Sequence, residues 1–346
     1  ILYPKGIRNP GSLTGAGGLR PSKYTLENSI TYLRIYFIGL TAVLIYNMGS
    51  SIMRSIGDSR RPLYVLIVCS ILNIVLDLLL IIAFPLGIAG AAIATVISQV
   101  ISAMIVTWML MHSYTDISFC PRELHIDFQT LAAELKIGLP GGIQSCISGL
   151  TNIILQAAVN SFGTDTAAAW AAFNKLDMIF WTVCGAFGAS ITTFSGQNYG
   201  AKKTDRVFKS VRTCLLLSLL VCGAIQLLLI VFARPLLHIF TTDKKVVSIG
   251  VYMLIVLVPT YILFVFIEIP AGALRGMGDA AIPTAINMTG ICLIRLPWIL
   301  FVLPRRHELL TVLISYPIAG ISAAILMIIY YFHRKRTLKR QHPVQE

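Results

Sequence analysis

Polar residues interrupt this chain only at long intervals, and the apolar runs between them reach about 20 residues, the length a helix needs to cross the hydrocarbon of a bilayer. Nine such runs predict transmembrane helices, near residues 29–52, 63–84, 87–111, 139–161, 167–195, 208–233, 246–269, 281–303 and 309–332. Between the third and fourth, Asp127–Lys136 has polar ends around an apolar stripe and predicts a short surface helix ahead of Pro140. The expected fold class is an all-α polytopic membrane protein.

The polar residues inside the runs carry the functional signal. Asn73 and Asp77 stand four residues apart in the second span, so a helix puts both on one face. A carboxylate at that depth costs about 2.5 to 3.5 kcal/mol on insertion scales, and something must offset it. The third span adds Thr95, and its Gly90 and Ala94 have the small-x-x-x-small spacing that lets two helices approach closely. Asn73, Asp77 and Thr95 are therefore read as a cation site between two packed helices. The blander reading makes them polar glue between helices with no ion.

Span four carries Gln144, Ser148, Asn152, Gln156 and Asn160 at successive i+4 positions. In lipid such a line must face protein or a water-filled cavity. Span five holds Lys175 and Asp177 among Trp170, Phe173, Phe180 and Trp181, and span seven offers Glu268. Aromatic faces beside a carboxylate suit a flat organic cation. Gln144, Asn152, Gln156, Asn160, Lys175, Asp177 and Glu268 are the candidate lining of a substrate cleft; span eight offers Arg295, and the blander reading puts Glu268 and Arg295 near the membrane interface.

A repeat organises the chain. After span one the sequence reads R-x-x-G-D-x-x-x-P from Arg54 to Pro62, and after span seven the same pattern runs from Arg275 to Pro283, at an offset of 221 residues. Spans one to three thus correspond to spans seven to nine, both copies turning in a loop on the same side, as parallel repeats do. Spans four to six have no counterpart ahead of span one, and a symmetrical molecule would need three more helices there.

Composition bounds the class. Of 346 residues 56% are hydrophobic and only 12% charged, against about 25% in ordinary soluble proteins. A net charge of +13 could point to nucleic acid, but the Lys and Arg residues are scattered over short connections, as positive-inside topology requires. That distribution places the loops after spans one, three, five, seven and nine, and the C-terminus, in the cytoplasm. Seven cysteines are spread singly with no C-x-x-C pair, which indicates neither a disulfide framework nor a metal knuckle. No P-loop, H-E-x-x-H or G-x-S-x-G occurs and the six histidines are dispersed, so ATP-driven transport and the common membrane enzymes lack support.

The two R-x-x-G-D-x-x-x-P loops, the N-x-x-x-D of Asn73 and Asp77 with Thr95 eighteen residues on, the run GIAGAAIAT, and Gly196-Gln-Asn-Tyr-Gly-Ala201 after span five together resemble the MATE family of multidrug and toxic compound extrusion transporters over about residues 27–333. The resemblance implies two six-helix lobes around a central cleft, and export of organic cations and drugs against inward flow of Na+ or H+. It also implies that Asn73, Asp77 and Thr95 work with a carboxylate on a first helix that this chain lacks. The chain looks like spans four to twelve of such a transporter, an incomplete 6+6 bundle.

The expected organisation is a disordered or foreign segment over 1–26, a partial N-lobe of three helices over 27–111, a linker with the surface helix over 112–138, a C-lobe of six helices over 139–333, and a basic cytoplasmic tail over 334–346. The expected function is secondary efflux by alternating access in the bacterial cytoplasmic membrane, with no enzymatic activity. The carboxylate, amide and hydroxyl of the first site are hard oxygen ligands that suit Na+, while a proton needs only Asp77 with Asn73 and Thr95 to hydrogen-bond it. No cofactor and no metal beyond Na+ are expected. The expected partners are small organic cations or drugs and the lipid bilayer, not nucleic acid, and the full-length protein is expected to act as a monomer. Two alternatives stand beside this. A lipid-linked saccharide flippase of the same superfamily would want more cleft cations than Lys175 and Arg295, and a truncated fragment would do nothing.

Overall fold

The computed structural model describes residues 23–112 and 127–341, in which every regular element is helical. The expectations for residues 1–22, for 113–126 of the linker and for the last five residues lie outside the described residues. Counting one bent pair as a single span, nine helical segments among the described residues are long and apolar enough to cross a membrane. The described residues fall into two compact units, one ending at His112 and one beginning at Asp127.

The first unit contains α1 (Lys23–Ile38), α2 (Leu40–Ser55), α3 (Arg60–Leu78) and α4 (Gly87–His112). The first expected span is here two helices, bent by 48° at Gly39. A Cβ at Gly39 would stand 2.8 Å from Val96 Cγ2, so the chain turns where it leans on α4 without a side chain between. α1, α2 and α3 all pack against α4, whose buried face is mostly small: Gly90, Ala92, Ala94, Ser98, Ser102 and Ala103. Past Leu78, α3 widens into a π-helical turn, Leu79–Ala83, that begins two residues beyond Asp77.

The second unit contains α5 (Phe128–Asn160), α6 (Thr164–Gly200), α7 (Thr204–Val231), the short α8 (Ala233–His238), α9 (Lys244–Leu257), α10 (Ile262–Gly276), α11 (Ala281–Met288) and α12 (Leu309–Gln341). α11 continues through π-helical segments Thr289–Arg295 and Trp298–Val302 to complete the eighth span. α10 is the axis, packed on α6, α7 and α12. Its contact with α6 is backbone on backbone: a Cβ at Gly272 would stand 2.7 Å from Gly188 O, and one at Gly276 2.3 Å from Thr192 O. Small residues at such a crossing let two helices pack in lipid, where no hydrophobic drive holds them together.

The surface helix expected over Asp127–Lys136 does not stand apart. It is the first part of α5, which runs through Pro140 without a break. Proline there removes only the hydrogen bond to the Lys136 carbonyl, in a stretch where residues 128–139 are all exposed and water can serve that carbonyl. The start is capped by Asp127, whose carboxylate accepts from the Thr130 hydroxyl and from the backbone N–H groups of Gln129 and Thr130. Those bonds, the Thr130 hydroxyl first, hold the Asp127 carboxyl below the usual carboxylate range.

Both repeat loops close alike. Gly57 and Gly278 have φ of 92° and 85°, a region glycine enters without strain. Asp58 N–H bonds Met53 O and Gly57 N–H bonds Arg54 O, while Asp279 N–H bonds Leu274 O and Gly278 N–H bonds Arg275 O, the same helix-ending motif twice. The aspartates then diverge. Asp58 caps α3 through the N–H groups of Arg60 and Arg61, whereas Asp279 takes the Tyr330 hydroxyl at 2.5 Å and pairs with Arg334 Nε at 3.4 Å on α12.

Candidate functional site

In the first unit, Asn73 and Asp77 lie half-buried on α3, one turn apart, and Thr95 lies half-buried on α4. Asn73 Nδ2 and Asp77 Oδ1 are buried and have no hydrogen-bond partner. Unsatisfied buried polar atoms are costly, more so when charged, and two on adjacent turns of one helix mark a place where a further ligand is wanted. Thr95 donates its hydroxyl proton to Ala91 O at 2.9 Å, which turns the oxygen lone pairs outward as acceptors. The same α4 face carries Ser98, whose buried hydroxyl also lacks a partner. A carboxylate, an amide oxygen and a hydroxyl oxygen are hard donors, of the kind that Na+ takes and that can hydrogen-bond a protonated carboxyl.

The second unit encloses a cavity of about 670 Å³ between α5, α6, α10, the eighth span and α12. Gln144, Ser148, Asn152 and Gln156 line it, as the polar spacing along α5 predicts. Asn160 does not reach it and accepts instead from Gln156 Nε2 at 2.8 Å. Steps of four residues advance about 40° beyond a full turn, so a line of five such positions winds off the face it began on.

Asp177 and Glu268 both line the cavity; Lys175 does not. The cavity face of α6 runs Trp170, Asn174, Asp177, Trp181, and Lys175 sits about 100° round from Asn174, on an exposed surface. Asp177 Oδ2 accepts from Trp181 Nε1 at 2.9 Å, and the carboxylate is also within reach of the buried hydroxyl of Tyr261. Trp181, Tyr261 and Phe264 form an aromatic corner there, with the Trp181 and Phe264 rings edge to face at 4.8 Å. Glu268 Oε1 is held by Arg275 Nη2 at 2.5 Å. Of the two cavity carboxylates, Asp177 is therefore the one outside any ion pair among the described residues. Asn174, Asn287 and Tyr316 also line the cavity and escaped the sequence reading. Asn174 was within reach of it, one helical turn from Asp177.

Residues 16–79 and 140–301 match the MatE family model. The chain is 29% identical to the probable multidrug resistance protein YoeA of Bacillus subtilis over 322 residues, 90% of this chain and 69% of that protein. It is 28% identical over 277 residues to a FAD transporter of Shewanella oneidensis, covering 77% of this chain and 60% of the relative. A MOP superfamily transporter from Pyrococcus furiosus, described as having a binding pocket of reversed polarity, superposes with a TM-score of 0.85 at 20% identity, over 93% of this chain and 72% of the other.

Proposed function

The chain belongs to the MatE family of membrane transporters, and from that footing we propose that it serves secondary efflux of flat, aromatic organic molecules, driven by Na+ or H+ at Asn73, Asp77 and Thr95. One observation carries the reading: the buried, unpartnered Oδ1 of Asp77, one turn from the unpartnered amide nitrogen of Asn73, in an otherwise apolar span. Polar glue between helices would spend its atoms on hydrogen bonds; these atoms are unspent.

An ion or proton on Asp77 removes a bare charge from low dielectric. Occupied and empty forms then favour different arrangements of the surrounding helices, and that difference couples the ion to an alternating-access cycle. The cargo enters the cavity of the second unit, with its ring system in the corner of Trp181, Tyr261 and Phe264 and its cationic part toward Asp177. The protein acts as a monomer in the cytoplasmic membrane, with the repeat loops and the C-terminus on the cytoplasmic side.

The test uses proteoliposomes that carry the protein and a fluorescent cationic dye, under an imposed Na+ or pH gradient. Asp77→Asn abolishes gradient-driven dye movement while protein content stays unchanged. Dye movement that persists with its ion dependence intact would take Asp77 out of the mechanism.

A further inference from the structure

Arg295 closes the π-helical turn Thr289–Arg295 inside the eighth span, is 9% exposed, and forms part of the cavity wall. A buried guanidinium at membrane depth is costly unless something answers its charge. Arg275, in the same unit, shows an answered one, against Glu268 at 2.5 Å. Among the described residues no carboxylate forms an ion pair with Arg295, and its Nε is buried with no hydrogen-bond partner. Its guanidinium carbon lies 3.9 Å from the centre of the Tyr316 ring instead. That stack covers one face of the plane and leaves its N–H groups, the part that recognises anions, unused by the ring.

Asp177 is close enough for its charge and that of Arg295 to act on each other, yet the two form no ion pair, and the Asp177 carboxylate is turned to Trp181 and Tyr261 instead. Two opposite charges on one wall that stop short of pairing leave room for a ligand bearing both. The repeat sharpens this. At its offset of 221, Thr95 falls on Tyr316, and Ile74, next to Asn73, falls on Arg295. The helix pair that carries an acid in the first unit carries a base in the second.

We propose that Arg295 is an anion subsite of the cargo cavity, so that the cavity takes a flat aromatic cation that also bears a carboxylate, the ring system beside Asp177 and the carboxylate on the guanidinium edge. A single guanidinium near Asp177 balances one negative charge, which favours a carboxylate over a doubly charged phosphate. The proposal rests on the reading of this cavity as the cargo site and names the class of cargo.

The chain in lipid nanodiscs is titrated with rhodamine B, a zwitterion with a free carboxylate, and with its methyl ester, read by dye anisotropy. The acid binds about tenfold tighter than the ester, the worth of one charge-assisted contact. Arg295→Gln brings the acid to the ester's affinity and leaves the ester's unchanged, while Arg295→Lys keeps part of the preference. Asp177→Asn weakens both dyes. If Arg295→Gln does not fold, the preference of the unaltered chain and its partial retention in Arg295→Lys decide. Equal affinity for acid and ester, or an Arg295→Gln loss shared by both, overturns the subsite and leaves the cargo cavity standing. Absence of binding by either dye overturns the cavity reading along with it.

Discussion

Arg275 Nη2 lies 2.5 Å from Glu268 Oε1, seven residues back along α10. Two helical turns separate them, about 10 Å of rise, so the two long side chains run toward each other along the helix. Both side chains are about 30% exposed, 29% for Arg275 and 31% for Glu268, which places the pair between a buried and a surface one. Glu268 faces the cavity already ion-paired, and the cavity acid outside any ion pair among the described residues is Asp177.

The pair has a measurable consequence for stability. Glu268→Gln or Arg275→Gln alone strands the other charge, at a cost of about 1 kcal/mol after allowance for the solvent that reaches both groups. The double substitution strands nothing and costs less than the two singles together. Thermal unfolding in detergent of the two singles and the double checks this; strictly additive losses would mean the pair carries no coupling.

The crossing of α6 and α10 makes a second prediction. A Cβ at Gly276 would stand 2.3 Å from Thr192 O and 2.9 Å from Gly196 N, both backbone atoms that cannot swing aside. Gly276→Ala must part the two helices, and costs about 1 to 3 kcal/mol as an overpacked interior does. Gly223 on α7 meets nothing within 4 Å, so Gly223→Ala is neutral or mildly stabilising. The same melting experiment reads both, and a Gly276→Ala protein as stable as the parent would show that the crossing is looser than its geometry.

What the sequence made legible follows from what lipid demands. Spans announce themselves because every backbone group in hydrocarbon must bond within its own helix, which makes long apolar runs unambiguous. The repeat loops were legible because a positive φ calls for glycine, at Gly57 and again at Gly278. Facing was harder. Lys175 and Asp177 are two residues apart, and only the packing of α6 against α10, α7 and α9 decides which of them meets a cavity. Asp58 and Asp279 sit in one motif, yet Asp279 finds Tyr330 on α12 while the position equivalent to Tyr330 in the first unit is Met109, which has no hydroxyl to offer. Pro140 marked a helix end by local rule, and α5 overrode the rule where water reaches its backbone. The π-helical turn that sets Arg295 over Tyr316 left no trace in the spacing of apolar residues.

The central claim is that Asp77 holds the coupling ion, and ion binding to the purified protein tests it most directly. Equilibrium binding of radioactive Na+, together with proton release recorded by a pH-sensitive dye in weakly buffered solution, is measured for the unaltered chain and for Asp77→Asn. The account predicts that saturable Na+ binding, or the protons released over a pH step, is greater by about one per chain in the unaltered protein than in Asp77→Asn, with both proteins melting alike. Equal Na+ binding and equal proton release from the two proteins would contradict it.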